Sequence, residues 1–224
     1  MMSNAMKTTT RSVRRSVCVR AEMAGTRGAK FTSWAPGFPR PAHLDGSLPG
    51  DFGFDPLGLG KDPKALEYYA SSELQHGRWA MLAVTGMAVP EMLTGMGAID
   101  RPIWAEAAQD TDFWSWTTTG TLFVIQILAM HWAEGNRKAD FETQGLSANY
   151  PGGRFDPLGY AKRSDLETLK VKEVMNGRLA MLGCLGCYCQ YGSTKVGPVA
   201  NLAAHVADPW HNLVTTNKFA VPFI

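Results

Sequence analysis

The longest uncharged stretch of the chain covers residues 113–133, a total of 21 residues. As a helix rising about 1.5 Å per residue, it is long enough to cross roughly 30 Å of hydrocarbon. Two shorter uncharged stretches, residues 79–90 and 179–194, reach the same length if the polar motifs before them belong to the same helices. The pattern therefore predicts an all-α membrane protein with three transmembrane helices.

Local signals indicate where these helices end. Asp62 before Pro63 is typical of an N-cap followed by the first helical residue, and Pro90 indicates either the far end of this helix or a kink. Ser164 and Glu167 fit a capping box for the third helix. The predicted helices are helix one at about 63–90, helix two at about 113–137, helix three at about 165–192 and a short amphipathic surface helix at about 198–207.

Helices one and three carry a repeated motif. Residues 73–82 (ELQHGRWAML) and 173–182 (EVMNGRLAML) are identical at six of ten positions. The pentapeptide FDPLG precedes both copies, at 54–58 and at 155–159. A repeat of about forty residues implies a pseudo-two-fold core. Because one helix separates the copies, helices one and three should run in the same direction as a crossed pair.

The repeat also places charged residues inside the predicted membrane helices. Glu73 and Arg78 are about 140° apart around a helix, so they cannot pair within one turn. We expect the helices to cross at the glycine of each motif, with Glu73 paired with Arg178 and Glu173 paired with Arg78. Four unpaired charges would cost on the order of 10 kcal/mol in a bilayer, so the pairing is required for insertion.

Several side chains of the helices are candidate metal ligands. A carboxylate that binds arginine with one oxygen keeps the other for a metal, and Arg137 lies one turn beyond Glu134 to neutralise it. Scattered single donors, mostly oxygen, suit many separate hard cations that each need one axial bond, such as chlorophyll magnesium. The candidates are Glu73, His76, Gln126, Glu134, Glu173, Asn176, Gln190 and His205.

Two other interpretations of these residues remain open. In the first, the charged residues form two ion pairs that only lock two helices together. In the second, the chain is a membrane di-iron carboxylate oxidase, whose site uses Glu-x-x-His on two helices and a Glu from each of two others. The second copy here is Glu-x-x-Asn, only one further helix is available, and the neighbouring arginines would oppose iron binding. Bound iron or bound magnesium tetrapyrrole would distinguish these interpretations.

Outside the helices, residues 1–21 contain five basic residues and no acidic one, which is typical of a transit peptide; a basic disordered tail is the alternative. Without them 17 basic and 20 acidic residues remain, a net charge near −3. Residues 22–62 are predicted to be an extended N-terminal segment, and residues 63–224 the three-helix domain. Three cysteines lie in helix three (Cys184, Cys187 and Cys189), where small core residues are favoured over a redox or zinc site.

In these motifs the chain resembles the chlorophyll a/b-binding light-harvesting proteins of plants and green algae. The residues that carry the resemblance are both FDPLG stretches, both copies of the charged motif, the stretch YPGG at 150–153 and the tail at 201–209. Residues 41–50 and 208–212 are similar to the peripheral antenna of photosystem I, nearest its type-1 members. The resemblance implies photon absorption and excitation transfer to photosystem I, with no catalytic residue; a photoprotective relative is the alternative.

The resemblance also implies roles for individual residues. Arg78 and Arg178 would pair with the glutamates, and Gln126, Glu134 and Arg137 would serve the pigments of helix two. Trp34, Phe54 and Lys172 match the family less closely, at positions where chlorophyll is attached through the backbone, water or lipid. At His131 an extra ligand and a polar contact are alternatives. In the relatives that emit far to the red, Asn stands at the position of His76.

The implied cofactors are chlorophyll a, chlorophyll b and xanthophylls of the lutein or violaxanthin type, with β-carotene and phosphatidylglycerol as further candidates. The implied partners are photosystem I core subunits, other light-harvesting proteins of a hetero-oligomeric antenna belt and thylakoid lipids, with no nucleic acid. The implied location is the chloroplast thylakoid membrane, with the mature N-terminus in the stroma and the C-terminus in the lumen. This orientation also follows from the distribution of basic residues between the two loops.

Overall fold

The structure, a computed structural model, describes residues 34–35, 40–101, 103–107, 117–162 and 165–213. All regular elements of these residues are helical, in agreement with the predicted all-α class. The chain divides into two compact units, residues 1–66 and 67–224. The predicted transit peptide and residues 113–116 of the predicted second helix lie outside the described residues.

Four α-helices form the framework: α1 (Pro63–Gly95), α2 (Thr119–Gln144), α3 (Leu166–Thr194) and α4 (Pro198–Ala207). Short 3-10 helices lie at Leu59–Lys61, Gly145–Asn149, Gly153–Phe155 and Tyr160–Lys162. None of the helices built from the described residues combines the length and the apolar character needed to cross a membrane. The three transmembrane spans therefore stay a prediction.

Of the two predictions for Pro90, the helix end is wrong, since α1 continues through Pro90 to Gly95. The kink stays a prediction. A left-handed residue ends it instead: Gly97 has φ 73°, and the N–H of Ala98 donates to the carbonyl of Leu93 at 3.0 Å. At the other end, the side chain of Asp62 accepts from the backbone N–H of Lys64 at 3.2 Å, in agreement with the predicted N-cap.

The predicted end of the second helix at Arg137 is also wrong, because α2 continues to Gln144. Residues 138–144 contain neither glycine nor proline, and Lys138 and Glu142 approach to 3.9 Å one turn apart. The helix ends where Gly145 takes φ 61°. In the third helix, Ser164 of the predicted capping box lies outside the described residues.

Helices α1 and α3 cross where both lack a side chain. A Cβ atom added to Gly77 would lie 2.9 Å from the Cα of Gly177, so only glycine permits this approach. Beyond the crossing, Ala80 and Met87 of α1 form an apolar cluster with Cys184 of α3. Since the residues that follow both glycines pack together, the two helices run in the same direction, as predicted.

Two further contacts involve the C-terminal halves of α1 and α3. Each of these helices contacts the segment that follows the other one. The ring of Trp104 packs against Tyr188 and Tyr191 of α3, with centroids 5.4 and 5.2 Å apart. The carboxylate of Glu91 in α1 accepts from the backbone N–H groups of Val199 and Ala200, at 3.0 and 2.8 Å. A carboxylate at this position stabilises the N-terminus of α4, whose first N–H groups have no partner within the helix.

Both FDPLG loops have the same internal geometry. Asp156 accepts from the backbone N–H groups of Tyr160 and Ala161, at 2.9 and 2.7 Å. Asp55 accepts in the same way from Leu59 and Gly60, at 3.1 and 3.0 Å. The final glycine of each pentapeptide is left-handed, with φ 67° and 70°, a conformation that glycine adopts without steric cost.

Much of the apolar surface of the helices is not covered by protein. Helix α2 contains no buried residue, although most of its first half is apolar. Its exposed large side chains are Phe123, Val124, Ile125, Ile127, Leu128 and Trp132. An apolar surface of this extent indicates that a further apolar component covers it.

Candidate functional site

Two reciprocal ion pairs lie next to the glycine crossing. The Nε of Arg178 donates to Oε1 of Glu73 at 2.7 Å, and the Nε of Arg78 donates to Oε1 of Glu173 at 2.7 Å. The predicted exchange of partners between the two motifs is therefore confirmed. These four side chains are between 26 and 38% exposed, so each pair is open on one side. Pairing neutralises both glutamates while leaving room for a ligand.

The two pairs differ at the second carboxylate oxygen. In Glu173 this oxygen, Oε2, accepts from the phenol of Tyr150 at 3.0 Å. In Glu73 it faces Nη2 of Arg178 at 3.4 Å. Burial, and then the charge of Glu173, raises the pKa of Tyr150 far above its ordinary value of 10. The phenol therefore stays protonated and remains a hydrogen-bond donor.

Asn149 anchors the residue before Tyr150 in the same region. Its buried side-chain oxygen accepts from the hydroxyl of Ser71 at 2.8 Å. Its backbone carbonyl accepts from Nη1 of Arg78 at 3.2 Å. Sequence reasoning missed both Asn149 and Tyr150, because their contacts depend on the loop between α2 and α3. The only signal for them was the position of Tyr150 at the start of the YPGG motif.

His76 and Asn176, at equivalent positions of the repeat, are held in the same way. The Nδ1 of His76 lies 2.8 Å from the carbonyl of Ser72, and the Nδ2 of Asn176 donates to the carbonyl of Lys172 at 2.8 Å. Because a carbonyl only accepts, the contact of Nδ1 with this carbonyl assigns the proton of a neutral His76 ring to Nδ1. The Nε2 of His76 and the Oδ1 of Asn176 therefore retain a lone pair, and both residues are exposed.

His205 in α4 is also held by a backbone carbonyl, but this carbonyl belongs to a residue after the helix. Its Nδ1 lies 2.9 Å from the backbone carbonyl of Asn212, which leaves the lone pair on Nε2. The side chain of Asn212 donates in turn to the carbonyl of Ala204 at 2.9 Å, so the loop that holds the imidazole is itself tied to the helix. Fixing one ring nitrogen in this way orients the other for a metal.

In α2, Arg137 pairs with Glu134 at 2.7 Å, which confirms the predicted neutralisation. Gln126 and His131 of α2 and Gln190 of α3 are exposed. Within the described residues no three His, Cys, Asp or Glu side chains come together as a metal cluster. The candidate ligands among these residues therefore form no such cluster.

In the unit of residues 1–66, Trp34 and Phe54 form an edge-to-face pair with ring centroids 4.8 Å apart. The backbone N–H of Trp34 donates to the carbonyl of Phe52 at 3.0 Å. Both rings are more than half exposed, at 51 and 60%. Each therefore offers an apolar surface, and neither supplies a side-chain metal ligand.

Comparison with known proteins shows which family the chain belongs to. A family model described as Chlorophyll A-B binding protein matches residues 40–192. The chain belongs to this family. It is 49% identical over 197 residues to chlorophyll a-b binding protein 6, chloroplastic, of Arabidopsis thaliana, which covers 85% of this chain and 80% of the relative. It is 46% identical over 196 residues to a chlorophyll a-b binding protein, chloroplastic, of Petunia hybrida, covering 80% and 72%.

A further relative is photosystem I chlorophyll a/b-binding protein 5, chloroplastic, of Arabidopsis thaliana, 40% identical over 215 residues that cover 87% of this chain and 83% of the relative. Chlorophyll a-b binding proteins are light-harvesting antenna proteins rather than enzymes. The predicted antenna function is therefore confirmed, and the family contradicts the di-iron oxidase interpretation.

Proposed function

We propose that this antenna protein binds chlorophyll a and chlorophyll b through single axial ligands and transfers excitation to photosystem I. The observation that carries the proposal is a hydrogen bond to a backbone carbonyl that His76, Asn176 and His205 have in common. In each of them one polar atom is bound to a backbone carbonyl, which leaves the other to accept a metal ion. Bound chlorophylls and carotenoids supply the absorption and the transfer of excitation energy.

The glutamate ligands require their arginines. A lone carboxylate carries a full negative charge into an apolar environment, which is costly, whereas its ion pair with arginine is neutral. Glu73 and Glu173 each bind an arginine of the other helix, and Glu134 binds Arg137 of its own helix. We assign Glu73, Glu134 and Glu173 as neutralised oxygen ligands, and Gln126 and Gln190 as amide oxygen ligands.

The uncovered apolar surface supports a pigment-filled and lipid-facing fold. Chlorophylls and xanthophylls are large and apolar, and exposed side chains such as Phe123, Leu128 and Trp132 of α2 would pack against them or against lipid. We place α1, α2 and α3 across the thylakoid membrane, with the mature N-terminus in the stroma. Phe54 and Phe155 of the FDPLG loops, 60 and 84% exposed, would contact the ends of two xanthophylls.

The assignment to photosystem I rests on similarity. One relative carries photosystem I in its name, and residues 41–50 and 208–212 resemble the photosystem I antenna. The proposed partners are the photosystem I core subunits and other light-harvesting proteins. Purification of the tagged protein from thylakoids tests this part of the proposal. We expect photosystem I to co-purify and its excitation spectrum to include light absorbed by chlorophyll b; co-purification with photosystem II alone would contradict it.

Refolding in detergent with chlorophyll a, chlorophyll b and xanthophylls tests the ligand assignment. We expect the His205→Leu variant to lose one chlorophyll per protein, measured by pigment extraction after gel filtration. His211→Leu is the matched control, because His211 lies in the same tail but pairs with Asp208 at 2.9 Å. Equal pigment counts in the two variants would contradict the role of His205. A wild-type protein that binds few pigments and dissipates energy would favour the photoprotective alternative.

A further inference from the structure

The repeat offers an internal comparison between two glutamates in equivalent places. Each binds the Nε of an arginine from the opposite helix at 2.7 Å through Oε1. At Oε2 the two glutamates differ: this oxygen faces arginine in Glu73 and accepts from Tyr150 in Glu173. We propose that Tyr150 is a positioning residue that orients Glu173 and sets the electronic environment of the chlorophyll it binds, making the two glutamate sites inequivalent.

The phenol is well placed for this role because its ring is fixed from several directions. The guanidinium of Arg78 lies 5.4 Å from the ring centroid and the ammonium of Lys170 lies 5.1 Å from it. Both distances are within the range of cation–π attraction. The preceding residue, Asn149, is tied to Ser71 and to Arg78. Tyr150 therefore cannot rotate away from Glu173 without breaking neighbouring contacts.

The hydrogen bond has two consequences for a metal at Glu173. It holds the plane of the carboxylate, which determines the direction in which the remaining lone pair points. It also withdraws electron density from the oxygen that would bind magnesium, since a hydrogen bond to a carboxylate is charge-assisted. At Glu73 no phenol contacts Oε2 in the described structure; Nη2 of Arg178 lies there instead, at the longer distance of 3.4 Å. Contacts of this kind beyond the ligand itself tune a bound metal.

The inference rests on the proposed function, and the experiment distinguishes a failure of the inference from a failure of the proposed function. The Tyr150→Phe variant is refolded with pigments beside the wild type and the control Tyr68→Phe. Tyr68 contacts Phe141 and Tyr69 through its ring, and phenylalanine keeps those contacts. We expect Tyr150→Phe to change the 77 K absorption of one chlorophyll, by a shift of its band or by loss of that pigment, and Tyr68→Phe to match the wild type.

A Tyr150→Phe spectrum identical to that of the wild type would overturn the inference while leaving the antenna function intact. A wild-type protein that binds no chlorophyll would overturn both. If Tyr150→Phe fails to refold, replacement of Tyr150 by 3-fluorotyrosine tests the inference instead. The ring and the hydroxyl remain, and the phenol becomes a stronger hydrogen-bond donor. The same single band should then shift, and an unchanged band would overturn the inference.

The fluorinated protein also gives a readout that does not depend on light absorption. The fluorine chemical shift at position 150 reports the hydrogen bond of the phenol. We expect it to change when Glu173→Gln is introduced, and to stay constant when Glu142→Gln is introduced. Glu142 is the control because it is an exposed carboxylate of α2 whose charged neighbour is Lys138, at 3.9 Å. No response to Glu173→Gln would overturn the inference.

Discussion

A hydrogen bond of 2.7 Å joins Nε of Arg178 to Oε1 of Glu73, two residues that are 105 positions apart in the chain. Its counterpart joins Arg78 to Glu173 at the same distance. Each helix therefore supplies the arginine that neutralises the glutamate of the other helix. Docking of α1 on α3 therefore also neutralises both carboxylates.

The close approach of these helices gives the first prediction. Gly77→Ala would place a Cβ atom 2.9 Å from the backbone Cα of Gly177, which cannot move aside as a flexible side chain can. We expect the pigmented protein to lose about 1–3 kcal/mol of stability, as overpacked cores do. Thermal denaturation followed by visible circular dichroism measures it. Gly86→Ala in the same helix is the control, since an added Cβ there meets no atom within 4 Å; equal losses would contradict the argument.

The reciprocal pairing gives the second prediction. Arg178→Leu removes two hydrogen bonds to Glu73, and leaving such a group without its partner costs roughly 1–3 kcal/mol. Gln190→Leu removes one exposed neutral donor. We therefore expect Arg178→Leu to reduce the refolding yield and the midpoint of thermal denaturation strongly, and Gln190→Leu to lose at most one chlorophyll. Equal pigment counts and equal midpoints in the two variants would refute the argument.

The spacing of the repeat made these ion pairs predictable. Glu73 and Arg78 lie on different sides of one helix, so their partners had to come from the second copy of the motif. The end of α2 was not predictable from the length needed to cross a membrane, since the last helical residue, Gln144, lies seven residues beyond Arg137 and Gly145 follows it. The role of Tyr150 was also not predictable, because it depends on the path of the loop that brings its phenol to Glu173.

The third prediction concerns folding without pigment. Helix α2 has no buried residue, and only a few residues of α1 and α3 are buried. Bare helices have little hydrophobic drive to associate in lipid or detergent. We expect the pigment-free chain to be digested rapidly by protease, and the chain refolded with chlorophyll and xanthophyll to resist, because ligand binding stabilises only the folded state. Native-like protease resistance without pigment would contradict this expectation.

The fourth prediction concerns pH and the second FDPLG loop. The backbone N–H groups of Ala161 and Tyr160 lower the pKa of Asp156 below its ordinary value of 3.8. This stabilisation is present above that ordinary value, and it is lost as the pH falls through the lowered pKa of the folded loop. We expect Asp156→Asn to speed hydrogen exchange of both amides at about pH 7, because an amide side chain has only one acceptor oxygen.

At acid pH, below the lowered pKa, the wild type and Asp156→Asn should exchange at similar rates, because the wild-type carboxyl is then neutral as well. The control is Asp140→Asn, at an exposed position in α2, which should leave the exchange of residues 160 and 161 unchanged. A difference between wild type and Asp156→Asn that persists at acid pH would contradict the electrostatic explanation.

The last prediction concerns colour, and it follows from the equivalence of His76 and Asn176. Asn176 donates from Nδ2 to the carbonyl four residues before it, and this contact does not use the lone pairs of Oδ1. In His76→Asn the new amide can bind the carbonyl of Ser72 in the same way, and its oxygen still suits magnesium as a hard cation. We therefore expect this variant to retain its chlorophyll, whereas His76→Leu loses it.

The shorter reach of asparagine draws the chlorophyll toward the helix and changes its distance from neighbouring pigments. Stronger coupling between neighbours lowers the energy of the emitting state, so the 77 K fluorescence of His76→Asn should move to longer wavelength. Asn176→His should have no such red shift, because the longer imidazole moves its pigment outward. Retention of every pigment in His76→Asn without a red shift would show that local packing, rather than the reach of the ligand, determines the colour at this position.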